Sequence, residues 1–319
     1  MHYRLLGKTG IEVSEIGFGT WGIGGATEGA TSYGDTDDQE SRAALLRARE
    51  RGINFFDTAN IYGNGHSEEL LGEAFKGVRE KVVIATKAGF TKHGGPHDVS
   101  VPYIRTCLED SLRRLQTDYV DLYQLHSVPV ELVRESSEVL ELMQDLKREG
   151  KIRAFGYSVK TPREAAIAIG EFGAEVVQVN FNMIDQRAIT DGVFDAIRES
   201  GAGFIARTPL CFGFLTGAIS DTDFSPKDHR SSWSKEQLER WKSAPNVFSF
   251  IDSSGIYTPA QLALKFCLSF PEVSVAIPGM LSVGEVEENS NVSDLPSLSE
   301  VQLADIENIS KQTKFFLEK

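Results

Sequence analysis

The stretch "GINFFDTANIYGNGHSEELLGEAF", residues 52–75, holds one complete fold unit. Its first part is a short apolar run closed by Asp57. A Gly/Asn-rich turn carrying Tyr62 follows. From Glu68 to Phe75 the apolar residues recur three and four apart, the period of a helix packed on one side. A continuously apolar strand is buried on both faces, and a strand, turn and amphipathic helix in that order build a parallel sheet.

The same unit recurs in both directions. Apolar runs stand at "EIGFG" (15–19), "VVIATK" (82–87), "YVDLYQLH" (119–126), "IRAFGYS" (152–158), "EVVQVNF" (175–181), "GFIAR" (203–207) and "VSVAIPG" (273–279); with residues 52–57 they number eight. Between most of them lie helical patterns, at 38–51, 102–115, 131–148, 162–169, 193–200 and 259–270. Thr161-Pro162 and Thr258-Pro259 are helix starts, a capping residue followed by proline at the first helical position. Eight β–α units without a break in composition predict a single (β/α)8 TIM barrel over residues 1–319. "YRLLGKTGIEV" (3–13) predicts a β-hairpin with a Gly-bearing turn, placed to plug the barrel's lower end. A further helix is expected at 299–316. The long loop after the seventh strand runs from Arg207 to about Tyr257. Loops of that length in a compact domain are usually functional, and "SDTDFSPKDHRSSW" (220–233) reads as its mobile part.

Bulk properties narrow the function. A chain with 41% hydrophobic and 25% charged residues is globular in composition. A net charge of −13 argues against a nucleic-acid surface, which wants a basic face. Cys107, Cys211 and Cys267 lie far apart, with no C-x-x-C, as in a reducing compartment. No apolar run approaches the roughly 18 residues of a membrane span, and the start lacks the apolar core of a signal peptide. The expectation is a cytoplasmic protein acting on a small molecule. Nothing in the sequence marks an oligomer interface.

In such barrels the C-terminal ends of the strands carry the active site. Here those ends hold Asp57 (with Tyr62 in its turn), Lys87, His126, Ser158 and Gln178, with Asn182 soon after. Taken singly, each has a plain reading. A strand-end aspartate shapes turns, a tyrosine packs with its tip wet, and a histidine after an apolar run sits satisfied in the core. Lys87 differs, because its stem starts inside the core after "VVIAT" and its charge then needs a partner. At successive strand ends the four converge on one mouth and suit proton transfer beside hydride transfer. A phenol can hand a proton to an oxygen that is becoming alkoxide. A nearby ammonium stabilises the phenolate left behind. Asp57 keeps Lys87 charged and aimed, and His126 orients and polarises the carbonyl.

The segments "GFGTWG", "INFFDTANIYGNGHSEELLGEAF", "ATKAG", "DYVDLYQLHS", "GKIRAFGYS", "QVNFNMIDQR", "TPLCFGFLTG" and "IPGMLSVGEVEEN" together resemble the aldo-keto reductase superfamily. The likeness is to its bacterial-type members, the branch that also resembles potassium-channel beta subunits. It implies reduction of an aldehyde or ketone by NAD(P)H, with a tetrad at Asp57, Tyr62, Lys87 and His126. It implies that Gly19, Thr20 and Trp21 line the mouth and that Ser158 and Gln178 hold the nicotinamide carboxamide. Phe181 would stack on the nicotinamide. Thr208, Pro209, Leu210, Gly213 and Leu215 would follow the pyrophosphate, with Gly279, Glu288 and Asn289 toward the adenosine end. A non-catalytic, cofactor-binding regulatory subunit is the alternative that the same resemblance carries.

Some positions depart from the family pattern. Val159 stands where asparagine is common. Arg207 replaces an uncharged residue, and an anionic substrate or a cofactor phosphate are its two functional readings. Gly279, Leu281 and Glu285 occupy places where relatives carry lysine or arginine against a 2′-phosphate. Family usage still sets NADP(H) ahead of NAD(H), with Lys227 or Arg230 to compensate. Trp21, His93, His97 and Arg207 are the substrate-facing candidates. The polar loop residues Asn60, Asn64, His93 and His97 suggest a hydroxylated, sugar-like substrate. "GFGTWG" also matches G-x-G-x-x-G, but the "IGGATEGATSYG" after it cannot open the helix that fingerprint needs. No metal site is expected, since Gly94, Gly95 and Pro96 keep His93 and His97 off a common helix face.

Overall fold

The computed structural model describes residues 1–29 and 31–317. β1 (Tyr3–Leu5) and β2 (Glu12–Ser14) form an antiparallel hairpin. Eight strands follow, β3 (Phe18–Gly19), β4 (Phe55–Asp57), β5 (Val83–Ala88), β6 (Val120–His126), β7 (Ile152–Ser158), β8 (Val176–Asn180), β9 (Gly203–Arg207) and β10 (Val273–Ile277). They pair in parallel in chain order. Parallel bridges Ile16–Ala276 and Gly19–Gly279 return β10 to β3 and close the ring. Helices separate the strands and cover the outside, as the alternating sequence pattern requires.

The two-residue period of a strand sorts every side chain to one face. Phe55, Val83, Ala85, Leu122, Ala154, Val176, Ile205, Val275 and Ile277 fill the inside together with Leu6, Ile11 and Val13 of the hairpin. The hairpin therefore plugs the lower end. Phe56, Ile84, Tyr123, Phe155, Val177 and Phe204 face outward into the helix layer. Counting on by twos along the inner face gives Asp57, Lys87, Gln124, His126, Ser158, Gln178, Asn180 and Arg207. The barrel interior is thus apolar below and polar at the C-terminal rim.

The expected helices form, with two differences. The pattern at 131–148 splits into Val130–Glu135 and Glu138–Arg148. Ser136 leaves helical geometry at the joint (φ −129°, ψ 52°), where serine competes with the helix for backbone partners. The long loop carries elements of its own. It contains a helix at Lys235–Phe248, started by Ser234, whose side chain accepts from Gln237 N. Pro245 inside that helix hid it, since proline usually ends one. The loop is tied across the barrel's rim to the segment after β3. His229 N donates to Ser32 O (2.8 Å), and Lys227 pairs with Asp35 (2.8 Å). Among the described residues no helix is long and apolar enough to cross a membrane.

Candidate active site

Asp57 ends β4, and Lys87 lies one strand over on β5, where its side chain is fully buried. Its Nζ donates to Asp57 Oδ1 (2.5 Å), Thr58 O (2.8 Å) and Tyr62 Oη (3.3 Å). These three bonds use all the ammonium's protons. Burial alone pushes the Lys87 ammonium down. The Asp57 carboxylate and the Tyr62 oxygen outweigh it and leave the group above its ordinary value. Lys87 is therefore a charged lysine inside a barrel. The second carboxylate oxygen, Asp57 Oδ2, accepts from Gln178 Nε2 (2.7 Å) and Gln124 Nε2 (3.3 Å).

Tyr62 reaches Lys87 because of the turn that carries it. Gly63 is left-handed (φ 60°), and a Cβ there would meet Gly24 O at 2.1 Å. Only glycine lets the turn dock on residues 22–24. Behind the turn, the buried Glu68 accepts from Thr86 Oγ1 (2.5 Å) and pairs with Arg114 (2.7 Å). That bond fastens helix His66–Ala74 to β5, the strand of Lys87.

His126 presents its ring edge-on to Tyr62, with centroids 5.9 Å apart and planes at 82°. Burial, then the charges of Lys87 and Arg207, holds its pKa well below the usual histidine range. It is a neutral imidazole. Among the described residues its Nδ1 is buried without a partner, as suits the nitrogen that bears a lone pair.

The mouth has an aromatic wall from three loops. Trp21 lies 6.4 Å from Tyr62, 6.2 Å from His93 and 4.3 Å from His229, centroid to centroid. Tyr33 closes on His229 at 4.8 Å. His97 stands one ring back, packed at a tilt on Phe90 at 4.0 Å, while Phe90 touches His126. Asn60 turns toward the helix layer, where its Nδ2 meets Cys107 Sγ (3.5 Å). Asn64 is an exposed turn residue. Thr20 is buried and bonds Asp57 O through both its N and Oγ1.

On the opposite side Ser158 Oγ donates to Gln178 Oε1 (3.3 Å). Arg207 donates to Asn180 Oδ1 (2.9 Å), Ser158 Oγ (3.2 Å) and Val159 O (3.0 Å). Among the described residues no carboxylate pairs with it. Next to it the loop carries Thr208, Cys211 and Phe212 at positive φ (52°, 45° and 57°), with Gly213 at 90°. Leu210 and Leu215 bury their side chains and pin this strained backbone. At the far end, Gly279 bridges Gly19. Glu288 accepts from Thr258 Oγ1 (2.6 Å), and Asn289 is buried on the same helix, Val283–Ser290.

The Aldo/keto reductase family model matches residues 15–311. The chain belongs to the aldo/keto reductase family. It is 33% identical over 314 residues to a probable aldo-keto reductase of Glycine max, covering 94% of this chain and 86% of the relative. It is 30% identical to L-galactose dehydrogenase of Arabidopsis thaliana, over 98% of this chain and 95% of that one. Among solved structures, glycerol dehydrogenase from Gluconobacter oxydans superposes with a TM-score of 0.81 at 27% identity, covering 99% and 97% of the two chains.

In this aldo/keto reductase one expected contact is overturned. Phe181 does not face the mouth. It is fully buried among Phe194, Phe204, Phe266 and Phe270, beneath the outer helices. It stands three residues from the inward Gln178, and an odd spacing on an extended chain points to the other face. The same count would have found Gln124 and Asn180, which the sequence reading passed over. Nothing local marks Tyr33 or His229, whose segments meet across 197 positions of chain.

Proposed function

We propose that this aldo/keto reductase interconverts a carbonyl and an alcohol, with Tyr62 as proton donor to the carbonyl oxygen. The observation that carries this is the chain Tyr62 Oη–Lys87 Nζ–Asp57 Oδ1, closed at 3.3 Å and 2.5 Å inside a buried mouth. Tyr62 donates its proton as negative charge grows on the substrate oxygen. The Lys87 ammonium stabilises the resulting phenolate, and Asp57 keeps that ammonium charged. Neutral His126, with its proton on Nε2, donates a hydrogen bond to the same oxygen and fixes its direction.

The bound nicotinamide cofactor supplies or accepts the hydride. The residues present fit it. The Ser158–Gln178 pair lines one side of the mouth, and Gln178 Oε1, which accepts once from Ser158, keeps a second lone pair for a carboxamide N–H. The loop at 208–213 carries left-handed backbone at Thr208 and again at Cys211, Phe212 and Gly213, the kind of turn geometry in which anion-binding concavities are built. Arg207, paired with no carboxylate among the described residues, adds charge there. The two candidate cations for a 2′-phosphate are already committed, Lys227 to Asp35 and Arg230 to Asp228. Glu285 spends its carboxylate on the N–H groups of Leu281 and Ser282. We therefore favour NADH, against the family usage that favours NADPH. The wall of Trp21 and His93 suits a hydroxylated, sugar-like carbonyl, in keeping with the names of the galactose- and glycerol-acting relatives.

Two experiments test this. Tyr62→Phe should lose at least about a hundredfold in turnover, the scale of a missing general acid, with cofactor affinity unchanged. Near-normal turnover in that variant would refute the assignment. A panel of plain and hydroxylated aldehydes, run with each cofactor, should give higher kcat/KM for NADH and for the hydroxylated members. The opposite order in either comparison removes the corresponding claim.

A further inference from the structure

Asp57 is the one group that every part of this machinery leans on, and its carboxylate has two oxygens. Oδ1 is taken by Lys87. Oδ2 would be a buried, charged acceptor if the barrel did not supply donors, and a buried ion pair survives only when its remaining lone pairs are satisfied. Two neutral amides supply them. Gln178 Nε2 lies 2.7 Å away and Gln124 Nε2 3.3 Å away. The two amides also touch each other, Gln178 Nε2 to Gln124 Oε1 at 3.5 Å. Gln178 thus spends one proton on Asp57 and turns the other toward Gln124, while its own oxygen accepts from Ser158. Gln124 consequently fixes the direction of Gln178 as well.

The fold makes room for Gln124 deliberately. Its side chain is fully buried, and its partner in the β6–β7 register is Gly156. A Cβ on Gly156 would lie 2.9 Å from Gln124 Cγ and 2.9 Å from Leu122 Cδ1. Gly156 is not among the positive-φ glycines. Its backbone would accept any residue, so what this glycine provides is space. The space is filled by the stem of Gln124, aimed at Asp57.

We infer that Gln124, seated over Gly156, is a positioning residue of the proposed reaction, which together with Gln178 clamps Asp57 Oδ2 and keeps the Lys87–Asp57 pair ionised. This rests on the role proposed for Tyr62. Gln124 acts through Asp57: it is fully buried, and its amide bonds Asp57 Oδ2 and Gln178. Without its donor the Asp57 carboxylate competes harder for a Lys87 proton. The ammonium then stabilises the Tyr62 phenolate less, and the phenolate forms at higher pH.

Gln124→Met keeps the length and fill of the side chain and removes the donor. We expect kcat to fall roughly tenfold, the scale of one hydrogen bond to a charged group, with KM within about twofold. The limb of the alcohol-oxidation pH profile should move up by about one unit, the equivalent of that tenfold factor. The same upward move should appear in cofactor-free protein, as the phenolate absorbance titration that Tyr62→Phe abolishes. Gly156→Ala, which pushes on Gln124 from the facing strand, should move both in the same direction and serves where Gln124→Met does not fold. Folded variants, checked by circular dichroism, with unmoved profile and titration overturn the inference, even if kcat falls, since packing alone would do that. If no carbonyl is turned over by the unaltered protein, the proposed reaction fails, while the cofactor-free titration still decides the clamp.

Discussion

His229 shows how much a single side chain is changed by its place. Its ring is packed among Trp21, Tyr33, Phe212 and Trp233. Nδ1 lies 3.2 Å from Ser32 O, so that nitrogen carries the proton and donates it. Burial pulls its pKa down to about 4. An unfolded histidine titrates near 6.5. Between these values the unfolded chain binds a proton that the folded chain refuses, so stability falls as the pH drops through 6.5 toward 4. At pH 5 the loss from this one group is about 2 kcal/mol. His126, held neutral by burial, Lys87 and Arg207, adds to the same trend. His229→Phe preserves the ring contacts and should shrink the pH 7 to pH 5 difference in urea-unfolding free energy by that amount. A slope equal to that of the unaltered protein would dispose of this account.

At the scale of an element, the turn from Tyr62 to Gly65 decides whether the proton donor is in place. It is short, carries two left-handed residues before Gly65 (Gly63 at φ 60° and Asn64 at φ 54°), and leads straight into helix His66–Ala74. The Thr86 hydroxyl holds that helix to β5 through Glu68, and Arg114 of the helix Val101–Arg114 pairs with the same carboxylate. Strain is tolerated here because the surroundings overdetermine the backbone. Gly63→Ala should break the docking on Gly24 and displace Tyr62 from Lys87. The expected result is a melting-temperature drop of a few degrees or more and a kcat loss of at least about tenfold, with cofactor affinity little changed. Retained kcat in a correctly folded variant would mean the turn is less constrained than its geometry states.

For the whole molecule, a closed barrel places residues from distant segments on one rim, and the long loop then ties the rim together. Asp228 is its anchor: the backbone bridges Ser32 and Tyr33, and the carboxylate holds Arg230. Asp228→Ala should free this strap and speed dissociation of the cofactor at least about tenfold in stopped-flow displacement; an unchanged rate would show that the strap does not cover the site. The barrel and the four strand-end groups were legible in the sequence because they rest on short-range regularities. A two-residue alternation, a helix period and a polar residue closing each apolar run are all written within a few positions. The inward aim of Gln124 and the outward aim of Phe181 were written there too, in the parity of their strands. What only the tertiary structure decided are contacts between segments whose spacing along the chain carries no signal. Those are the amide pair on Asp57, the seating of Gln124 over Gly156, and the meeting of His229 with Trp21. Each depends on which strands become neighbours and on how a long loop packs, and those are outcomes of closing the barrel as a whole.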